Sequence, residues 1–117
     1  MATASETPVL DTLAAMTVDS IERCGLTQDT FMLTRIAALA ASDAPPISYV
    51  ANIDPAIQAG LTAEKLQDVL VAIAPIVGTA RVMTAAGNIA RALGIEIAVA
   101  EAEAGAAAEA GQGKGRS

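Results

Sequence analysis

The chain has no histidine, no tryptophan and a single cysteine, Cys24. Without imidazole there is no histidine acid/base chemistry, no His-ligated metal and no Ser–His or Cys–His nucleophile pair. Without a second thiol there is no intrachain dithiol couple. Aromatics make up 2% of the residues, and 7 Lys and Arg stand against 13 Asp and Glu, a net charge of -6. A sequence pI near 4.4 offers no positive field for a phosphate backbone and few rings for base stacking, which excludes nucleic acid. Long hydrophobic runs are missing too, although mean hydropathy is +0.47. The longest uncharged stretch, Val69 to Ala80, holds Pro75 and Gly78 and falls short of the about 20 apolar residues of a membrane span. The opening MATASETP has neither a basic start nor an apolar core and is read as no secretion signal. A lone cysteine builds no disulfide framework and fits a reducing cytoplasm. The expectation is a cytoplasmic protein without metal or cofactor and with no membrane partner.

What is present is small and aliphatic. The 117 residues are 53% hydrophobic, enough for one domain and one core. Alanine-rich helices approach closely, but each small side chain buries little area at about 25 cal/mol per Å². Such a chain gains by burying surface against copies of itself, so a homo-oligomer is expected.

The apolar period is helical almost throughout. Residues 1–7 are read as a flexible N-terminus and 8–94 as an all-α domain of five to six helices. Residues 95–104 are read as a weak helix or arm and 105–117 as a disordered tail. In the first helix Leu10, Ala14, Thr17, Ile21 and Cys24 form a core-facing stripe, with Pro8 in the first turn and Gly25 at the end. A second helix runs from an N-cap at Thr27 to about Ser42. Pro45 and Pro46 break the chain, and a third helix covers Ser48 to Ala59 with Ser48 as its cap. Gly60, Leu61 and Thr62 read as helix stop, hydrophobic staple and N-cap. The fourth helix buries Leu66, Val69, Leu70, Ile73 and Val77, with Pro75 ending or kinking it. The fifth starts at Thr79, buries Val82, Ala86, Ile89 and Leu93, and stops at Gly94.

The run APPISYVANIDPAIQAGLTAEKLQDVLVAIAPIVGTARVMTAAGNIARALG resembles the core of the carboxymuconolactone decarboxylase and AhpD-like family. The likeness covers roughly Leu10 to Leu93. It rests on the A-G-L-T-x-E-x-L helix start at Ala59 to Leu66, the apolar helix ending in Gly78, and the small-residue helix after Thr79. The resemblance implies an all-α domain assembled as a trimer, a hexamer or a related ring, with a site in an intersubunit cavity. The peroxidase branch of that family carries Cys-x-x-Cys-x-x-x-His at the start of the third helix, with an upstream glutamate. Those positions fall here on Pro45, Ser48 and Asn52, and no glutamate lies between Glu22 and Glu64. Peroxide reduction needs a thiolate and a resolving thiol, which one cysteine does not supply. The decarboxylase branch is expected to use histidine for proton transfer, which this chain also lacks.

Around the lost motif stand Ser48, Tyr49, Asn52 and Asp54, while Arg35 and Arg81 interrupt apolar helical surfaces. An arginine in such a place needs an anionic partner, either a carboxylate such as Asp43 or Asp54 or that of a substrate. The functional reading makes Arg35, Ser48, Asn52 and Arg81 a binding set for a small organic acid or lactone, with Tyr49 or Asp54 moving protons. The structural alternative makes the arginines ion pairs, Ser48 a cap, Asn52 and Asp54 turn residues beside Pro55, Tyr49 a packing residue and Cys24 a small buried hydrophobe. Two function classes follow. One is a thiol-independent member of the family working on an organic acid. The other is a non-catalytic oligomeric module, with alkylhydroperoxidase activity behind both.

Overall fold

The structure, a computed structural model, describes residues 5–115, with the side chains of 96–100 and 106–115 outside that description. Residues 1–4 and 116–117, parts of the expected N-terminus and tail, are not among the described residues. Five helices and no strand make up the described chain: α1 Pro8–Arg23, α2 Gln28–Ala41, α3 Pro46–Gln58, α4 Ala63–Val77 and α5 Thr79–Gly115. The all-α expectation holds.

Helices α2 to α5 enclose one core. Met32, Ile36 and Ala40 of α2 meet Tyr49, Ile53 and Ala56 of α3, Leu66 and Leu70 of α4, and Ala85, Ile89 and Ala92 of α5. Leu61, in the turn before α4, completes it. Each set repeats at three or four residues, so a single face of each helix is apolar and inward. α2 and α5 each touch all three of the other core helices, and α3 and α4 lie apart on either side of them.

The turn between α3 and α4 follows its sequence pattern closely. Gly60 takes φ 88°, the left-handed geometry that costs a residue with a Cβ about 1–2 kcal/mol. It lets the Leu61 N–H return to the Ala56 carbonyl at 3.0 Å. Leu61 is buried, and the Thr62 hydroxyl accepts from the Lys65 N–H at 3.2 Å.

Two boundaries differ from the sequence reading, the start of α3 and the end of α5. α3 starts at Pro46 with Pro45 as N-cap, so Ser48 lies in the first turn and caps nothing. Proline lacks an N–H that the first turn would leave unpaired anyway, so the pair opens a helix here. Thr27 is the N-cap of α2 as expected, extended, but its hydroxyl bonds Thr30 Oγ1 at 2.9 Å and no backbone N–H. Pro75 sits in the last turn of α4, which runs on to Val77 and ends at Gly78, φ 94°. α5 continues through Gly94 and on to Gly115, where a stop at Gly94, a weak helix or arm over 95–104 and then a disordered tail were expected. An interior glycine costs about 1 kcal/mol, which the flanking alanines and glutamates offset.

The largest correction concerns α1. Its apolar stripe was expected to join the core, yet none of its residues is buried and among the described residues it packs on no other helix. Periodicity reports that a face needs cover, not what supplies it. With α1 and the end of α5 projecting, the radius of gyration is 18.1 Å, against about 13 Å for a compact chain of this length.

Candidate functional site

Two of the predicted binding residues meet. Arg35 on α2 and Asn52 on α3 line one surface groove with Ala38 and Leu39, of about 240 Å³. Arg35 is half-buried, and its guanidinium carbon lies 4.3 Å from the centroid of the Phe31 ring, one helical turn earlier. That is cation–π geometry, worth about 0.5–2 kcal/mol, and it fixes the plane of the fork. No carboxylate among the described residues pairs with Arg35. The one ion pair among the described residues joins Arg23 to Asp19 at 2.7 Å on exposed α1, where such pairs contribute at most about 1 kcal/mol. Asn52 Nδ2 donates to the Ser48 carbonyl at 2.8 Å, which orients its amide along α3.

The other candidates lie elsewhere. Arg81 is exposed, and its Nη1 donates to the Ala41 carbonyl. It caps the C-terminus of α2, where the helix dipole favours a cation, and it does not line the groove. Asp43 ends that helix at φ 53°, which lets the Ala44 N–H reach the Leu39 carbonyl at 3.0 Å. Tyr49 is 1% exposed and the largest side chain wholly inside the core. Burial, and then the negative charge of Asp43, hold its hydroxyl above the ordinary 10.0, so the phenol keeps its proton. Asp54 is exposed on α3 and makes no hydrogen bond or ion pair among the described residues. Ser48 contributes its backbone carbonyl rather than its hydroxyl. The proton-transfer pair expected from the sequence is therefore not assembled around the groove.

Cys24 is half-buried at the junction of α1 and α2, its N–H bonded to the Ser20 carbonyl at 3.0 Å. It is on no core stripe, because α1 has none. No cluster of acidic or sulfur side chains that would hold a metal occurs among the described residues, and no described helix is long and apolar enough to cross a membrane.

The groove thus offers one fixed guanidinium, one amide and an aliphatic floor. That set suits a small carboxylate, which a guanidinium fork engages through two oxygens. Its volume lies just below the about 300 Å³ at which ligand pockets begin, so a single chain holds such a molecule on one side only. Sequence reasoning missed Phe31. The signal was there in its spacing of four from Arg35.

The sequence model of the carboxymuconolactone decarboxylase family matches residues 8–92. No curated protein and no solved structure matches the chain.

Proposed function

The chain belongs to the carboxymuconolactone decarboxylase family, and from that premise we propose that it binds a small organic acid or lactone between Arg35 and Asn52 without thiol chemistry. The observation that carries this reading is the half-buried Arg35, held by the Phe31 ring and paired with no carboxylate among the described residues. Its guanidinium receives the carboxylate, Asn52 a second polar group, and Ala38 and Leu39 the carbon skeleton. The reading includes self-association, as a trimer or hexamer, which closes the open side of the groove. Native mass spectrometry of the purified assembly tests it. A copurifying acid retained by the wild type and lost in Arg35→Ala supports the reading. Equal retention by both chains refutes it.

A second reading, a non-catalytic binding module, draws support from one observation: Tyr49 is in the core and Asp54 is exposed with no ion-pair partner among the described residues. Neither residue lines the groove. Under this reading the acid is held and not transformed, and the wild type leaves the copurifying acid chemically unchanged on prolonged incubation. Peroxide reduction is the weakest alternative, since Cys24 would need its resolving sulfur from outside the chain.

A further inference from the structure

Asparagine is a poor helix residue, because its short amide competes for backbone partners, yet Asn52 stands in the interior of α3. There its Nδ2 donates to the Ser48 carbonyl at 2.8 Å. The reverse placement would set Oδ1 against a carbonyl oxygen, acceptor against acceptor, so this bond decides which end of the amide is which. Oδ1 is the end left over. It takes part in no hydrogen bond among the described residues, and none of their buried side-chain nitrogens or oxygens lacks a partner. Oδ1 is therefore accessible, on a residue that lines the Arg35 groove.

The other polar groups of that groove are donors or are already engaged. A guanidinium has no acceptor atom. The Ala38 carbonyl accepts from the Ser42 N–H at 3.0 Å. The Leu39 carbonyl accepts from the Ala44 N–H at 3.0 Å and from the Ser42 hydroxyl at 3.3 Å. The side chains of Ala38 and Leu39 are apolar. Donors are thus in surplus, and Oδ1 of Asn52 is the one side-chain acceptor among the lining residues.

That imbalance discriminates between ligands. A plain carboxylate satisfies the fork but brings no hydrogen for Oδ1, which is then taken out of water unpaired. An acid that also carries a hydroxyl satisfies both. We propose that the groove selects hydroxy acids over the unsubstituted acids of the same skeleton, with Arg35 holding the carboxylate and Asn52 Oδ1 accepting from the hydroxyl. The inference rests on the carboxylate reading above and deepens it by naming the second polar group of the ligand. Asn52 is then a specificity residue, and its bond to Ser48 is what turns the acceptor outward.

Calorimetric titration of the full chain with succinate and with each enantiomer of malate tests this. At neutral pH these are dianions that differ by one hydroxyl, and malate places that hydroxyl next to one carboxylate and one carbon further from the other. The wild type is expected to bind one malate enantiomer about fivefold or more tighter than succinate, the worth of one hydrogen bond and of an acceptor not left unpaired. Asn52→Leu, which removes the acceptor and keeps the bulk, is expected to bind succinate and malate alike. Asn52→Ala, which favours the helix, gives the same comparison where leucine crowds the groove. Equal binding of succinate and both malates by the wild type overturns the selectivity and leaves the carboxylate reading standing. A malate preference that persists in both Asn52 variants overturns the role of Asn52. A wild type that binds none of the three overturns the inference together with the reading beneath it.

Discussion

Arg35 lies over the ring of Phe31, 4.3 Å from its centroid, and that stacking holds a guanidinium that no carboxylate among the described residues pairs with. Replacing the ring frees the fork while keeping its charge. Phe31→Leu is therefore expected to weaken carboxylate binding by about 1 kcal/mol, roughly fivefold in affinity. Titration calorimetry with succinate and adipate reads this directly. Unchanged affinity in the leucine variant would show that the ring only packs.

The C-terminus of α2 carries two independent devices. Removing the Arg81 bond to the Ala41 carbonyl in Arg81→Ala is expected to cost about 1 kcal/mol of stability. Asp43 at φ 53° is strained in a way glycine is not, so Asp43→Gly is expected to gain about 0.5 kcal/mol. Urea unfolding of both variants checks the signs. A neutral Arg81→Ala would remove the capping role given to it here.

Tyr49 gives a pH signature. Its hydroxyl is held above 10.0 by burial first and by Asp43 second, so the unfolded chain loses that proton before the folded one does. Stability is then full below 10.0 and falls as pH rises past it through the folded value. Thermal melts into the alkaline range should show a steeper decline for wild type than for Tyr49→Phe. Parallel curves would place the hydroxyl in water.

The sequence made the core legible where local chemistry and pattern agreed. Gly60, Leu61 and Thr62 stop one helix, enter the core and cap the next, each by a mechanism readable from its residue type. The inward faces of α2 and α4 follow from spacing; on α5 spacing found Ile89 but favoured Val82, Ala86 and Leu93, which are only partly buried, over the buried Ala85 and Ala92. Ser48 misled because two prolines read as a break, although a helix tolerates them in its first turn. Arg81 misled because charge on an apolar helix suggests a ligand, while the carbonyl it serves lies 40 residues away in the chain and leaves no local trace. For Tyr49 the sequence left proton transfer and packing both open; its burial in an alanine-rich core fits packing. For α1 the amphipathic pattern was correct and its assignment to the chain's own core was not.

The central claim is that Arg35 binds a carboxylate and that sulfur takes no part. Calorimetric titration of succinate and adipate into wild type, Arg35→Ala, Arg81→Ala and Cys24→Ala tests it in one experiment. The account predicts binding to wild type, a loss of about tenfold or more in Arg35→Ala, as expected for a charge-assisted bond, and no change in the other two. Binding that survives Arg35→Ala, or that disappears with Cys24→Ala, would contradict it.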